Sequence, residues 1–299
     1  MLLRHVRYLM AVADEGSFTR AALTLHVSQP ALSQQIRQLE ERMGVALLDR
    51  SGRMVRPTDA GEAFLAYARR ALGELEAGSR AVRDVADLST GALRIGFTPS
   101  FSAYLVAPLV RRFHERFPGI QLSVVVMAQE EMESALGADT LDLGIAFSDV
   151  HAEDVEWLPL HEERLSLVVG EAHPAGAAAS IDCTMLAQEE FVLLGRTFAT
   201  RLTVDAYLHR QHVRPRVAVE ASSIAAIVEI VRTTRLATIL PDAIACEQPG
   251  IRAVALVPPI ETRRVALLQR RSGYRSAAAR AFTALAEEYA GEVSGAVAV

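Results

Sequence analysis

The stretch "HVSQPALSQQIRQLEERMG", residues 26–44, puts four glutamines together with Ser33 and Arg37 on one expected helix. Ser28 is the expected N-cap, and Pro30 lies in the first turn, where its missing N–H costs nothing. An apolar stripe at helical spacing runs through Leu32, Ile36, Leu39 and Met43. The residues that face away from this stripe are Ser33, Gln34 and Arg37. A polar face is ordinarily a solvated surface, so the neighbouring segments must indicate what it binds.

Those neighbours predict a winged helix-turn-helix. "SFTRAALTL" (17–25) reads as a short helix capped by Ser17, and only "HVS" separates it from the next helix. "VALLDRSGRMVRPT" (45–58) predicts a β-hairpin with Gly and Arg at its tip. Glutamine reads adenine and arginine reads guanine through paired hydrogen bonds in the major groove, so we expect helix 28–43 to read bases. The expected DNA-binding residues are Thr19, Arg20, Ser28, Gln29, Pro30, Ser33, Gln34, Arg37, Arg50 and Arg53.

A family resemblance follows from the same residues. "FTRAALTLHVSQPALSQQIRQLEERMGVALLDRSGR" followed by "TDAG" resembles the amino-terminal domain of LysR-type transcriptional regulators, and the length and layout of the chain fit that family. Three further stretches are similar to the branch that regulates cyanate-detoxification operons: "RAVRDVADLSTGALRIGFTPSF", "LDLGIAFSDVH" and "EASSIAAIVEIVRTTRLATILP". The resemblance implies an α/β protein with a long linker helix and a two-subdomain effector domain like periplasmic binding proteins. The resemblance also implies four partners: promoter DNA, a small anionic effector such as cyanate, further copies of the chain (a dimer or tetramer) and RNA polymerase.

Charge is distributed as a DNA-binding amino-terminal segment requires. The 299 residues carry a net charge of −5, yet residues 1–60 contain eight Arg against six acidic residues. A localised positive segment matches a phosphate footprint. All 31 basic residues are Arg, which codon bias explains better than DNA recognition does. The length predicts about two domains.

Several classes of protein are excluded. Arg4, His5 and Arg7 interrupt the first apolar residues, and no stretch approaches the ~18 apolar residues that span a bilayer, so we expect a cytoplasmic protein without membrane contact. Cys183 and Cys246 fit no metal-ligand spacing, and we expect neither a metal nor a cofactor. Buried inert thiols are favoured over a redox-sensing pair, because neither cysteine has a cationic run beside it.

A long helix is predicted over 59–90. It begins near Thr58 or Asp59, with Asp59 and Glu62 at capping-box spacing. A heptad-like stripe runs through Leu65, Ala68, Leu72, Leu75, Ser79 and Val82. A core helix would show the same stripe. Charges on the other faces and the shortage of nearby chain favour a dimerising linker.

From Gly91 the pattern changes to that of an effector-binding domain, 91–299. Apolar runs at 93–98, 121–128 and 141–147 predict buried parallel strands, and the alternation with helices repeats after 165–170. Two α/β halves joined by crossings near 161–165 and 264–268 imply a hinged cleft. The expected boundaries are 91–161 with 268–299 for the first subdomain and 162–267 for the second.

Strand ends predict the chemistry of this cleft. In α/β sheets ligands bind beyond the carboxyl ends of strands, where helix N-termini point. The candidate effector-binding residues are Thr98, Ser100, Phe101, Ser102, Gln129, Phe147, Thr200 and Ser223. Each could instead be a simple N-cap, but hydroxyls and free N–H groups together favour a small anion. Arg201, beside Thr200, is the one arginine next to these positions.

An enzyme is not expected. His161-Glu162-Glu163-Arg164 begins like a zinc-protease motif, but Leu165 stands where the second histidine would be required. The chain has no G-x-S-x-G elbow, phosphate loop or dinucleotide fingerprint. A transport binding protein would need an export signal. The remaining alternatives are a LysR-type regulator that responds to another small carboxylate and one that responds to oxidation.

Overall fold

A computed structural model describes residues 3–52, 54–84 and 90–297, without the side chains of 76, 77, 79–84 and 293–297. The chain forms two compact units, Met1–Ser79 and Arg80–Val299. Among the described residues, no helix combines the length and the apolar character that crossing a membrane requires.

The first unit is the expected winged helix-turn-helix. Its elements are α1 (Leu3–Glu15), α2 (Phe18–Thr24), α3 (Gln29–Met43), β1 (Leu48–Asp49), β2 (Arg56–Pro57) and the first part of α4 (Asp59–Asp84). The Ser17 and Ser28 hydroxyls accept the backbone N–H groups of Arg20 and Ala31, so both expected caps are confirmed. Gly44 ends α3 in the left-handed region, at φ 72°. Leu32, Ile36 and Leu39 are fully buried, as the stripe predicts, whereas Met43, the last residue of α3, is 44% exposed.

The start of α4 differs in detail from the expected capping box. The Thr58 hydroxyl accepts the Gly61 N–H at 3.0 Å, so Thr58 is the cap and the third helical position is a glycine without a side chain. Asp59 and Glu62 still lie in the first turn, where negative charge suits the helix dipole.

The apolar stripe of α4 is partly covered within the protomer. Leu65 is buried in the core of the winged helix, and Ala68 and Leu72 pack with Val6 of α1. The expectation that the chain offers little to bury this stripe is therefore wrong for its first half. Leu75 keeps 53% of its surface exposed. The side chains of Ser79 and Val82 lie outside the described residues.

The second unit alternates strands and helices. In chain order it contains β3 (Gly91–Phe97), α5 (Val106–Arg116), β4 (Ile120–Val126), α6 (Gln129–Gly137), β5 (Leu143–Phe147), β6 (Val155–Glu163), β7 (Leu165–Gly170), β8 (Ser180–Asp182), β9 (Glu190–Leu194), α7 (Ala199–Arg210), β10 (Arg216–Ala221), α8 (Ile224–Thr233), β11 (Thr238–Pro241), α9 (Asp242–Glu247), β12 (Ile251–Val257), β13 (Arg263–Arg270) and α10 (Ala277–Val297). Short 3-10 turns at 99–103, 174–177 and 183–188 complete it.

The first subdomain is built on a five-stranded sheet of order β4-β3-β5-β13-β6. β3 runs parallel to β4 and β5, whereas β13 runs antiparallel to β5 and β6. The carboxyl ends of β3, β5 and β6 therefore lie at the same edge as the first residue of β13. This edge supplies the polar groups described below.

The second subdomain contains a four-stranded sheet of order β11-β7-β12-β8 and the parallel pair β10-β9. The chain leaves the first sheet after Glu163 and rejoins it at Arg263, because the whole of β13 pairs there. The second crossing thus lies before Arg263 and not at 264–268.

Burial corrects two of the strand expectations. β4 was expected to be buried, yet Val124, Val125 and Val126 are exposed, because β4 is the edge strand of its sheet. β10 is mostly exposed for the same reason. Periodicity also missed β6 and β12, and β6 carries Pro159, charged residues and a register shift that hide its alternation.

Candidate DNA-reading surface and ligand cleft

The outward face of α3 carries the polar residues expected to read bases. Gln29, Pro30, Gln34 and Arg37 are exposed, and Ser33 is half-buried. The α3 apolar stripe holds this face outward by packing against α1 and α2. The geometry is that of a recognition helix with a free polar face.

Two of the four glutamines do not share this face. The Gln35 side-chain oxygen accepts from Arg4 Nη2 and from His5 Nε2, each at 2.9 Å. Its amide nitrogen donates to Gln38 Oε1 at 3.3 Å. Gln35 therefore joins α3 to α1, and Gln29 and Gln34 are the glutamines that remain on the exposed face.

Arg50 is bound within the protein. Its Nη2 donates to Glu40 Oε2 at 2.6 Å, and its guanidinium lies 5.0 Å from the centre of the Phe18 ring. The other Glu40 oxygen accepts the N–H groups of Leu47 and Leu48 at 3.0 and 3.1 Å. These bonds tie the first strand of the wing to α3, so Arg50 has a structural partner that the sequence pattern did not reveal.

The remaining expected DNA-binding residues also include both exposed side chains and side chains bound within the protein. Thr19 is exposed on α2. Arg20 is bound to the carboxylate and backbone carbonyl of Glu15, which turns it back toward α1. Arg53, at the tip of the expected wing, lies outside the described residues.

In the second unit, polar residues meet at the shared edge of the five-stranded sheet. Thr98 follows β3, Phe147 ends β5, Glu163 ends β6 and Arg263 begins β13. Thr98 and Glu163 are buried, and the Arg263 side chain is only 11% exposed. Thr200, in the first turn of α7, reaches this edge from the second subdomain.

Arg263 is the centre of the cluster. Its Nη2 forms an ion pair with Glu163 Oε2 and donates to Thr200 Oγ1 at 3.1 Å. Its guanidinium carbon lies 4.2 Å from the centre of the Phe147 ring. Tyr104 Oη donates to the other Glu163 oxygen at 2.7 Å. This network connects three strands of the first subdomain with a helix of the second.

Several buried polar atoms at this edge have no hydrogen-bond partner among the described residues. They are Arg263 Nε, Arg263 Nη1 and Thr98 Oγ1. An unmet buried polar group costs about 1–3 kcal/mol, and more when it is charged. Such atoms mark the position where a polar ligand gains most from binding.

Burial controls the electrostatics of this cluster. It raises the pKa of the Glu163 carboxyl, and the adjacent Arg263 guanidinium opposes that rise. The pKa of Tyr104 is raised well above its usual value, first by burial and then by the nearby Glu163 carboxylate. Tyr104 is therefore a neutral hydroxyl that can donate to Glu163.

Two cavities open between the subdomains on either side of this cluster. The larger, about 670 Å³, is lined by Phe147, Arg263, Arg264, Thr203 and four acidic residues. The acidic residues are Glu130, Asp149, Glu162 and Glu261. The smaller, about 520 Å³, is lined by Ser102, Ser223 and Phe198 among others. Both cavities are bounded by strand ends and helix starts.

Some of the expected effector residues line the cleft, whereas others are buried or already hydrogen-bonded within the protein. Ser102 and Ser223 line the smaller cavity, although the Ser102 hydroxyl donates to Pro99 O and the Ser223 hydroxyl caps α8. Ser100 and Phe101 are buried, and Phe101 packs against the Phe147 ring at 5.2 Å.

Gln129 lines the larger cavity, but its amide is already engaged. Its nitrogen donates to Phe147 O, Asp149 O and Glu133 Oε1, and its oxygen accepts the Phe147 N–H. Gln129 therefore holds the 147–149 segment on α6.

Arg201 is not the cation of the cleft. Its guanidinium binds Asp205, Glu220 and the carbonyl of Leu194, all within the second subdomain. Arg263 and Arg264 line the larger cavity instead. The buried cluster consists of Arg263, Glu163 and Tyr104. Sequence reasoning missed all three, although "RR" at the first positions of an apolar strand is a signal that an arginine lies at a sheet edge.

A winged helix-turn-helix and a separate two-subdomain unit with a polar cleft define a ligand-responsive DNA-binding regulator. The chain belongs to the LysR family: residues 3–62 match "Bacterial regulatory helix-turn-helix protein, lysR family", and residues 86–291 match "LysR substrate binding domain". It is a LysR-type DNA-binding transcriptional regulator with an effector-binding domain, in a family of regulators and not of enzymes.

Similar proteins agree with this assignment. A "Probable RuBisCO transcriptional regulator" from Synechocystis sp. is 31% identical, over 94% of this chain and 84% of its own length. The "Hca operon transcriptional activator HcaR" of Escherichia coli is 32% identical, over 81% of this chain and 82% of its own. Full-length OxyR from Pseudomonas aeruginosa has a TM-score of 0.73 at 28% identity, covering 96% of this chain and 94% of that chain. CbnR in complex with its target DNA shares the fold, with a TM-score of 0.66 at 24% identity, covering 96% of this chain and 99% of that one.

Proposed function

We propose that this regulator responds to a small monoanion that binds at Arg263 between the subdomains, and that cyanate is the first candidate. The observation that carries the proposal is the pair of buried Arg263 nitrogens, Nε and Nη1, without a partner among the described residues. The unpartnered Thr98 hydroxyl lies two strands away along the same sheet edge, about 10 Å across at the usual strand spacing. Cyanate itself rests on the sequence resemblance, since the relatives described above regulate other genes.

Charge favours a monoanion over larger acids. A di- or tricarboxylate calls for several fixed cations. Arg263 already shares its charge with Glu163, and Glu130, Asp149, Glu162 and Glu261 surround the larger cavity. A second carboxylate would therefore meet like charges at the rim.

The size of the ligand limits its affinity. A ligand of three heavy atoms reaches at most ~4.5 kcal/mol at about 1.5 kcal/mol per atom. This corresponds to a dissociation constant near the millimolar range.

Calorimetry on the full chain with cyanate, formate, acetate and nitrate tests the proposal. Binding of at least one of these anions is expected in the millimolar range, with loss of binding in Arg263→Gln. Arg216→Gln, which removes an exposed arginine paired with Glu190, is the matched control and should bind normally. The absence of binding by every anion, or equal binding in Arg263→Gln, contradicts the proposal. Cys183 is buried as expected, but Cys246 is exposed, so the expectation of buried thiols is wrong for Cys246. A peroxide response that requires Cys246 would favour the oxidation alternative.

The DNA-facing part of the proposal concerns assembly. We propose that α4 associates with a second copy and that the oligomer binds an interrupted palindrome, with half-sites spaced by whole helical turns. RNA polymerase is the proposed further partner. Footprints on DNA upstream of the gene, with and without the anion, should show two protected half-sites whose pattern changes when the anion is added. A single protected half-site would contradict the twofold arrangement.

A further inference from the structure

Glu163 and the proposed anion would share one cation. Glu163 is 3% exposed and pairs directly with Arg263, which it faces across the β6–β13 ladder. The pair is neutral when both groups are charged. A monoanion bound to the remaining Arg263 nitrogens would place two negative charges on one buried guanidinium. Buried like charges this close are relieved when one of them takes up a proton.

The groups around Glu163 reinforce that conflict. From the first turn before α5 it faces the neutral Tyr104 hydroxyl, and from β13 it faces Arg263. From α9 the Asp242 carboxylate adds a further negative charge, which Arg164 partly offsets. On its own strand, burial lowers the pKa of His161, so that side chain supplies no positive charge near neutral pH. Arg263 is therefore the one cation in direct contact with Glu163 among the described residues.

We infer that Glu163 is a specificity-determining residue that makes the site take up its monoanion together with one proton. This inference rests on the proposed function. The carboxylate accepts a proton from solvent while the anion enters with its charge, so the liganded cluster is again neutral and no covalent bond changes. The Tyr104 hydroxyl can rotate to accept from the protonated carboxyl, since a hydroxyl is both donor and acceptor. A neutral ligand would gain nothing from protonation of Glu163. A dianion would need a second proton before the cluster became neutral.

Proton uptake can be measured without any variant. Calorimetry of cyanate binding to the full chain is carried out at pH 7.5 in HEPES and in Tris, which protonate with different enthalpies. The difference in the observed binding enthalpy between the two buffers gives the number of protons taken up. We expect uptake of one proton, and an affinity that falls about tenfold for each pH unit between pH 7 and 8.5, as linkage requires.

Glu163→Gln keeps the shape of the side chain and removes its charge. We expect this variant to bind cyanate more tightly than the parent at pH 8, with no proton uptake and no dependence on pH. Glu190→Gln, which removes an exposed carboxylate paired with Arg216 outside both cavities, is the control and should retain the uptake. Arg263-dependent binding without proton uptake in the parent would overturn this inference and leave the proposed function intact. The absence of binding by every anion would overturn both.

Discussion

Arg263 Nη2 donates to Thr200 Oγ1 at 3.1 Å, and this hydrogen bond joins the two subdomains across the cleft. Arg263 begins a strand of the first subdomain, and Thr200 lies in the first turn of α7 in the second. The guanidinium that is proposed to hold the anion is thus the group that links the two halves. An anion that binds one arrangement of the subdomains better than another shifts the population toward that arrangement.

Removing the hydroxyl of Thr200 should weaken the bound state. Thr200→Val keeps the shape of the buried side chain and removes its one bond to Arg263, so we expect a loss of ~0.5–1.5 kcal/mol in cyanate binding, about two- to thirteenfold. Thr283→Val, on α10 with its hydroxyl bonded to Ala279 O, is the control and should change binding by less than twofold. Equal effects in the two variants would show that the Thr200–Arg263 hydrogen bond has no specific role in cyanate binding. Isothermal calorimetry measures both.

Substitutions of two arginines in the winged helix should separate effects on DNA recognition from effects on folding stability. Arg37→Ala removes an exposed group from the outward face of α3 and should cost ~1–3 kcal/mol on the specific site while leaving the melting temperature unchanged. Arg50→Ala breaks the bonds to Glu40 and Phe18 and should lower the free energy of unfolding by about 1–2 kcal/mol. Gel-shift titrations on specific and random DNA, together with thermal melts, test both. Equal losses on the two DNAs for Arg37→Ala would contradict its role in base reading.

The position of Gly61, in the first turn of α4, should not tolerate any side chain. A Cβ at Gly61 would lie 2.0 Å from the Leu47 carbonyl oxygen, and backbone cannot move aside cheaply. Gly61→Ala should therefore destabilise the winged helix by about 2–4 kcal/mol. Gly78, on the same helix, has nothing within 4 Å of its Cβ position, so Gly78→Ala should stabilise by about 0.5–1 kcal/mol. Thermal unfolding compares the two, and similar shifts would contradict the packing argument.

Local signals predicted the elements that depend on local structure. The cap at Ser28 and the stripe through Leu32, Ile36 and Leu39 identify α3, because a helix buries one face through residues near in sequence. Strand β5 is an unbroken apolar run, and β3 is apolar except for Arg94, so short runs of neighbouring residues identify both strands.

The missed features depend on residues that are distant in sequence. The apolar run of β4 looks like that of a central strand, and only the order of the sheet makes it an edge. Arg263 binds Glu163, which lies 100 residues earlier, so no spacing along the chain could single it out. Arg201 was the better candidate by proximity to Thr200, but its partners Asp205 and Glu220 occupy it.

Two leucines of α4 should distinguish the core of the winged helix from the proposed interface between copies. Leu72 is 7% exposed and packs with Val6 and Ala68, so Leu72→Arg buries an unpaired charge and should destabilise the first unit by about 3 kcal/mol or more. Leu75, three residues later, is 53% exposed, so an arginine there should leave the melting temperature close to that of the parent. If α4 associates with a second copy, Leu75→Arg should nevertheless yield monomers by light scattering and weaken binding to a two-half-site operator. A parental mass for folded Leu75→Arg would show that the copies associate through a different surface.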